Sequence, residues 1–162
     1  MSEERFLECV TRMRSKLYHA AIAILWDEQD AADAVQEAML KGWKHRGGLR
    51  DEALFEVWFM RILVNQCRDL QRRQIRRRRL MERAAQQVAL EDREAPNAAL
   101  MEAICRLPDR ERLPVLLYYF DGYSQAEVGR IVGATAEQVK ARIRAGRVKL
   151  KKLLSEGDEG IE

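Results

Sequence analysis

Apolar residues recur at every third or fourth position along most of the chain, which is the spacing that places them on one face of an α-helix. We predict a first helix over residues 4–25 and a second over residues 30–44, with Asp27 as the cap before the second. Their inward positions are Phe6, Val10, Met13, Leu17, Ala20, Ala21 and Ile24, followed by Ala31, Ala34, Val35, Ala38 and Met39. Gly47 and Gly48 then interrupt the pattern, so residues 45–53 are expected to form a loop.

A third, longer helix is predicted over residues 54–79, because neither Gly nor Pro occurs there. Its first part is expected to be buried, along a stripe of Leu54, Val57, Trp58, Arg61, Ile62, Asn65 and Asp69. Its second part and the residues after it carry Arg68, Arg72, Arg73, Arg76, Arg77, Arg78, Arg79 and Arg83. Only Asp69 and Glu82 are local acids, so pairing within the helix leaves most of this charge unneutralised. Such a basic helix favours contact with DNA or RNA.

The periodicity weakens over residues 81–97, which are polar and rich in alanine and are interpreted as a linker. A second domain is predicted over residues 98–155, followed by an acidic tail at 156–162. Its first short helix is stopped by Pro108, and Asp109 is the expected cap of the next helix. The apolar face of that next helix is predicted to be Leu113, Leu116, Leu117 and Phe120.

The strongest local signal is a pair of short helices near the end of the chain. Ser124 and Glu127 have the spacing of a capping box, Gly133 supplies a turn, and Thr135 with Gln138 repeats the capping pattern. The last helix should bury Val139, Ile143, Gly146 and Leu150, and it carries Lys140, Arg142, Arg144, Arg147, Lys149, Lys151 and Lys152 off that stripe. Two capped helices joined by a glycine turn predict a helix-turn-helix that binds DNA.

Composition and charge narrow the class of protein. The chain has 162 residues, 47% of them hydrophobic and 34% charged, with 9 glycines and 3 prolines, which favours an all-α fold of one or two domains. The net charge is only +3, so the basic character is local. Cys9, Cys67 and Cys105 lack the spacing of a disulfide framework or a zinc site. The acidic N-terminus is unlike a signal peptide and no apolar run could span a membrane, so we expect a cytoplasmic protein.

Three stretches in this order resemble bacterial RNA polymerase sigma factors of the extracytoplasmic-function (ECF) class. Residues 27–43, DEQDAADAVQEAMLKGW, look like region 2.1–2.2 of that family. Residues 55–73, FEVWFMRILVNQCRDLQRR, are similar to regions 2.3–2.4, and residues 107–154 look like region 4 with its helix-turn-helix. At Glu137 and at Ala145–Gly146 the chain departs from the residues usual in the family.

The resemblance implies an all-α protein with a region 2 domain at residues 1–80 and a region 4 domain at 98–155, acting as a non-enzymatic specificity factor. It would bind the clamp helices of core RNA polymerase through Asp30, Asp33, Gln36 and Glu37, and the polymerase flap through an apolar surface between Leu113 and Phe120. The −10 promoter element would be contacted by Asn65, Arg68, Arg72, Arg73 and Arg76. The −35 element would be contacted by Thr135, Gln138, Lys140, Ala141, Arg142, Arg144 and Arg147. No cofactor, metal, small-molecule substrate or membrane insertion is expected, whereas an anti-sigma factor is.

Several interpretations of single residues stay open on the sequence. The loop at residues 45–53 and the start of the long helix would capture an unpaired −10 base. Asn65 could contact a base edge, a phosphate or the protein interior. Trp43 and Trp58 are expected to belong to the core rather than to stack on bases, while Phe55 and Phe59 are undecided.

Three other functions are alternatives to the sigma factor. A stand-alone helix-turn-helix regulator that binds duplex operators would explain residues 124–152 but would leave the acidic helix and the arginine-rich helix without a role. An enzyme acting on nucleic acid would need a metal or acid–base constellation, and the clustered carboxylates have no His or Cys beside them. A pure interaction adaptor is disfavoured by the charge distribution.

Overall fold

The computed structural model describes residues 1–80 and 98–159, and these described residues form helices and turns without a strand. The chain divides into two compact units, Met1–Val88 and Ala89–Glu162. The predicted linker at 81–97, with Glu82 and Arg83, lies outside the described residues. An all-α fold was predicted and is confirmed for the described residues.

Within residues 1–80, the described part of the first unit, the chain forms four α-helices: α1 (Glu3–Arg12), α2 (Arg14–Leu25), α3 (Glu28–His45) and α4 (Phe55–Leu80). Short 3-10 turns at Arg46–Gly48 and Glu52–Leu54 occupy the predicted loop. Asp27 caps α3 as predicted, since its carboxylate accepts a hydrogen bond of 2.9 Å from the backbone N–H of Asp30. Asp51 likewise accepts from the N–H of Ala53 at 3.0 Å and caps the second 3-10 turn.

The single first helix predicted over residues 4–25 is wrong, because the chain is divided between α1 and α2 at Met13. The N–H of Met13 is shared between the carbonyl oxygens of Cys9 and Val10, at 3.3 and 3.1 Å. Just before it, the hydroxyl of Thr11 donates to the carbonyl oxygen of Leu7 at 2.7 Å, a contact that tends to bend helices. Met13 remains buried, so the apolar stripe continues across the break.

The predicted inward stripe of α4 is also wrong. Leu54 just before α4 is 46% exposed, and Arg61 and Asn65 of α4 are exposed. The residues that α4 actually buries are Phe55, Phe59, Met60, Leu63, Val64 and Cys67. Two stripes with helical spacing coexist on this helix, offset by one residue or about 100°. Their spacing is equivalent, and the partner surface on α1–α3 decides which stripe faces inward.

Aromatic side chains build that partner surface. The ring of Phe6 lies edge-on to Trp43, Phe55 and Phe59, with centroid distances of 5.5, 5.7 and 5.9 Å. Gly42 lets α3 approach α4 here, because a Cβ at Gly42 would lie 2.6 Å from Cε2 of Phe59. Phe55 and Phe59, undecided from the sequence, are therefore core residues, which leaves the opposite face of α4 to solvent.

The second unit contains α5 (Ala98–Cys105), α6 (Asp109–Val115), α7 (Gln125–Val132) and α8 (Ala136–Glu159). A π-helical turn, Leu116–Phe120, extends α6. Asp109 is not the cap that the sequence predicted. Pro108 occupies that position, and the carboxylate of Asp109 instead accepts a 2.6 Å hydrogen bond from the buried guanidinium of Arg112. A second bond from Arg112 to the carbonyl oxygen of Leu107, at 2.6 Å, ties α6 to the end of the segment before it.

The core of this unit is formed between α5, α6, α7 and α8. Gly146 brings α8 against α6, because a Cβ there would lie 2.6 Å from Cγ2 of Val115. The four residues predicted to form the buried stripe of α8 are all buried: Val139, Ile143, Gly146 and Leu150. One side of α8 is therefore buried in the core, and its other side faces solvent.

Candidate functional site

The turn between α7 and α8 is fixed by local hydrogen bonds. Ser124 and Glu127 form the predicted capping box, at 3.1 and 3.3 Å, and Gly133 adopts a left-handed conformation with φ of 72°. The second predicted pair is also present. The hydroxyl of Thr135 accepts from the N–H of Gln138 at 3.2 Å, and the side-chain oxygen of Gln138 accepts from the N–H of Thr135 at 3.0 Å. The first turn of α8 is therefore held rigidly.

Gly129 sets how closely the turn approaches α7. A Cβ at this position would lie 2.7 Å from the carbonyl oxygen of Ala134, so only glycine allows the observed packing. Since α7, the turn and α8 are held by caps at both helix starts and by this contact, the exposed face of α8 has a defined orientation relative to its own unit. This is the geometry of a helix-turn-helix.

Six of the seven residues predicted to contact a −35 element are exposed: Thr135, Gln138, Lys140, Ala141, Arg144 and Arg147. The seventh, Arg142, is half-buried. Lys149, counted among the cations of this helix, differs from the others because its ammonium group lies 2.7 Å from the carboxylate of Glu111 on α6. That pair ties Lys149 to the unit's own surface, so Lys149 is less available to a ligand than the exposed Lys140, Arg144 and Arg147.

A second cationic face lies on the first unit, along the side of α4 that the core leaves uncovered. Asn65, Arg72 and Arg73 are exposed and Arg68 is half-buried. Asn65, Arg68 and Arg72 follow one another at helical spacing and share one side of the helix. The exposure of Asn65 rules out the interior contact that the sequence left open. Arg76 belongs to the same helix, but its side chain lies outside the described residues, as do those of Arg77, Arg78 and Arg79.

Sequence reasoning missed Arg61 as part of this face. Arg61 is exposed and precedes Asn65 by one helical turn, so it continues the line of Asn65, Arg68 and Arg72 toward the start of α4. Its spacing matches that of the neighbouring apolar residues, so the sequence predicts it on the buried stripe. The exposed ion pair of Arg72 with Asp69, at 2.7 Å, is weak in water and leaves Arg72 able to turn to a phosphate.

Beside this face, the connection from α3 to α4 is shaped by Trp43. The guanidinium of Arg46 lies 3.5 Å from the ring centroid of Trp43 and donates a 2.7 Å hydrogen bond to its carbonyl oxygen. Trp43 also packs on Phe6, and Trp58 contacts Phe55 at 5.7 Å, so both tryptophans pack on the core and are half-buried. The other residues of the connection, Gly47 and Gly48 among them, are largely exposed.

An acidic face lies on α3. Asp33, Gln36 and Glu37 are exposed as predicted, but Asp30 is half-buried and does not share their environment. Its carboxylate accepts a hydrogen bond from the side-chain amide of Gln74 on α4. The same face carries one residue that sequence reasoning missed, Leu40, which is 56% exposed and lies about one turn after Gln36 and Glu37. Leu40 thus places one apolar side chain beside the exposed acids of this face.

The apolar surface predicted between Leu113 and Phe120 is largely internal. Leu113, Leu116 and Leu117 are buried in the second unit and are not available to a partner. The surface there instead presents tyrosines: Tyr119 is 46% exposed and its ring lies edge-on to that of Tyr118 at 4.9 Å. An open groove beside these rings is lined by Tyr118, Tyr119, Gly122, Tyr123, Ser124, Gln125 and Glu127.

The described part of the chain contains no cluster of three or more His, Cys, Asp or Glu side chains that could hold a metal ion. Among these residues no helix combines the length and apolar character needed to cross a membrane. Burial raises the pKa of the Cys67 thiol to about 12, so this cysteine is an apolar core residue rather than a reactive group.

Comparison with known proteins matches both units. The family description "Sigma-70 region 2" matches residues 9–78, and "Sigma-70, region 4" matches residues 97–150. The ECF RNA polymerase sigma factor SigM of Mycobacterium tuberculosis is 31% identical over 157 residues, covering 96% of this chain and 80% of SigM.

Two solved structures are similar in fold. The sigma factor RpoE of Bartonella quintana, in complex with the anti-sigma factor NepR, has a TM-score of 0.82 at 20% identity and covers 94% of this chain and 98% of RpoE. CnrH, in complex with the cytosolic domain of CnrY, has a TM-score of 0.69 at 26% identity and covers 96% of this chain and 90% of CnrH.

Proposed function

Because this chain belongs to the extracytoplasmic-function class of RNA polymerase sigma factors, we propose that its exposed faces divide the work of promoter-specific initiation between the two units. The chain binds core RNA polymerase and directs transcription initiation at promoters with −10 and −35 elements. It regulates initiation and catalyses no reaction of its own. It acts in the cytoplasm, where core polymerase and promoter DNA are found.

The second unit contacts the −35 element through α8. The capped first turn enters the major groove, where Gln138 and Ala141 face base edges. Because the oxygen of Gln138 is used by the cap, its NH₂ group is the part that can donate to a base. Lys140, Arg144 and Arg147 hold phosphates on either side, with the half-buried Arg142 supporting them, and Thr135 places the start of the helix at the backbone.

The first unit contacts the −10 element through the exposed face of α4. Asn65 lies between Arg61 and Arg68 on that face, so it can reach a base while the flanking arginines hold phosphates. Arg72, Arg73 and Arg76 extend the contact along the strand. The residues between α3 and α4 receive the base that leaves the stack, since this connection is exposed and lies at the start of the cationic face.

Core polymerase is bound through two surfaces. On the first unit, Asp33, Gln36 and Glu37 face the basic clamp helices, and Leu40 adds an apolar contact at their edge. Asp30 supports this surface by holding α3 to α4 through Gln74. On the second unit, Tyr118, Tyr119 and Phe120 contact the flap. The leucines of the same segment cannot do so, because they are buried in the core.

An anti-sigma protein is a further proposed partner. RpoE was solved in complex with the anti-sigma factor NepR, and CnrH with the cytosolic domain of CnrY. We expect an inhibitor of this chain to cover surfaces needed for polymerase or promoter binding, since that is the direct way to keep the free factor inactive.

A single observation carries this proposal: in each unit one basic helix, α4 or α8, buries one side in the core and presents arginines on its exposed side. The test is run-off transcription with bacterial core polymerase, a promoter library and the purified full chain. The double variants Arg72→Ala/Arg73→Ala and Arg144→Ala/Arg147→Ala should lose initiation at the shared two-part motif. Arg14→Ala/Arg110→Ala, which removes two exposed arginines outside these faces, is the matched control.

Three outcomes are informative. Initiation by the wild type and the control, but not by the two test variants, supports the proposal. Equal activity of all four proteins refutes the assignment of the faces. No stimulation and no binding to core polymerase by the wild type refutes the polymerase role, and tight sequence-specific binding of the free protein to duplex DNA would then favour the stand-alone regulator.

A further inference from the structure

One acidic side chain interrupts the cationic face of α8. Glu137 is exposed in the first turn of that helix, and Lys140, Ala141 and Arg144 follow it on the uncovered side. Glu137, Ala141 and Arg144 lie at spacings of four and three residues, so they share one line along the helix. The carboxylate of Glu137 therefore lies at the N-terminal end of α8, which is the end proposed to enter the groove.

The position of this carboxylate is fixed from both sides. Thr135 and Gln138 hold the first turn through their reciprocal hydrogen bonds, and Val139 is fully buried against the rest of the unit. Glu137 therefore cannot be turned away from a bound duplex by rotating the helix without breaking the cap and the core contact together. An acid in a first turn also suits the helix dipole, but this effect acts within the helix and requires no contact with DNA.

A carboxylate at this position cannot bind phosphate, because both groups are anionic. In the major groove it needs a hydrogen-bond donor, and only the exocyclic amines of cytosine and adenine supply one. Adenine places the acceptor N7 beside its N6 amine, which repels a carboxylate, whereas the N4 amine of cytosine has no such neighbour on the same base. Cytosine is thus the base that a glutamate selects at this point.

We propose that Glu137 accepts a hydrogen bond from the N4 amine of a cytosine in the −35 element and thereby determines one base pair of the promoter. The inference rests on the proposed function, since it requires α8 to lie in the −35 major groove. Ala141, one turn further on and about 6 Å along the helix, is placed to contact the methyl group of a thymine close to that cytosine.

The test uses the full chain with core polymerase and a library in which only the −35 segment is randomised. Transcripts are sequenced for the wild type, Glu137→Gln, Glu137→Ala and the control Glu156→Gln, which neutralises another exposed acid of the same helix. The wild type and control should require cytosine at one position. Glu137→Ala should lose that preference by about five-fold or more, and Glu137→Gln should shift it toward adenine, with the other positions unchanged.

The inference is overturned if the Glu137 variants keep the wild-type base preference, or if their activity changes equally for every base. The second pattern is what altered repulsion from phosphates alone would produce. Circular dichroism of each variant checks that helix content is retained. Failure of the wild type to initiate from any library member is a different result, because it refutes the polymerase role and not the base assignment.

Discussion

On the acidic face of α3, residues that stabilise the fold can be distinguished from residues that bind polymerase, because Asp30 forms a hydrogen bond with Gln74. Asp30 on α3 is half-buried and accepts from Gln74 on α4, whereas Asp33, one turn later, is exposed. Replacing Asp30 by Ala should therefore loosen the packing of α4 on α3. Replacing Asp33 by Ala should weaken binding to core polymerase without loosening the fold.

The expected size of the effect follows from the environment of the two residues. A hydrogen bond to a charged group contributes about 1.5–3 kcal/mol, and the partial exposure of Asp30 places this one near the lower end. Loss of an acid from the first turn of α3 adds about 0.3–1 kcal/mol. Asp30→Ala should thus destabilise the first unit by about 2 kcal/mol, and Asp33→Ala by less than about 0.5 kcal/mol, the value usual for exposed positions.

The first unit can be followed by itself, because all three tryptophans, Trp26, Trp43 and Trp58, belong to it. Urea unfolding monitored by tryptophan fluorescence therefore reports the free energy of unfolding of this unit. Gln74→Ala is the matched control, since it removes the same bond from the other side. In the double variant the losses should fall short of additivity by about 0.5–3 kcal/mol, as for residues in contact.

The reasoning is refuted if Asp30→Ala unfolds at the wild-type urea concentration, or if the Asp30 and Gln74 variants are strictly additive. It is also refuted if Asp33→Ala destabilises the unit as strongly as Asp30→Ala. Binding to core polymerase, measured on the same proteins and corrected for the folded fraction, should be weakened more by Asp33→Ala than by Asp30→Ala.

Three further predictions concern single side chains. Arg144→Ala should lower the salt dependence of promoter binding by about one unit in the slope of log K against log salt. Lys149→Ala should change this slope less, because the ammonium group of Lys149 is paired with Glu111. Binding titrations at several salt concentrations measure both slopes. Thr135→Ala should destabilise the second unit by about 1 kcal/mol through loss of the cap, and thermal unfolding followed by circular dichroism would contradict this if the midpoint is unchanged. Cys67, buried and with a pKa raised to about 12, should be modified by thiol reagents at pH 8 only after unfolding. Rapid labelling of Cys67 itself in the native protein, located by mass spectrometry and distinguished from labelling of the half-buried Cys105, would refute its placement.

Local interactions were predictable where both partners lie within one turn. The Ser124 and Thr135 capping pairs each join residues three positions apart, and both are present as the sequence predicted. The same holds for Asp27 at the start of α3. Asp109 is the exception: its carboxylate is used by Arg112, whose guanidinium must be satisfied because it is buried.

Interactions between distant residues were not predictable from spacing. Asp30 pairs with a residue 44 positions away and Lys149 with one 38 positions away, so both depend on how helices pack. The sequence places Lys149 with the other cations outside the buried stripe of α8, and Asp30 with the acids expected to bind the clamp helices. In each case a partner on another helix changed the role.

The amino-acid sequence by itself determined that this protein is helical, where most of its helices begin, and which helices carry the basic residues, because periodicity, caps and charge are properties of short segments. Only the tertiary structure decided which side of α4 faces inward. Two stripes on that helix have the same period, and the fit of Phe55 and Phe59 against Phe6 and Gly42 selects one of them. Burial of that stripe leaves Arg61, Asn65 and Arg72 facing solvent, so packing in the core sets the surface that we propose contacts DNA.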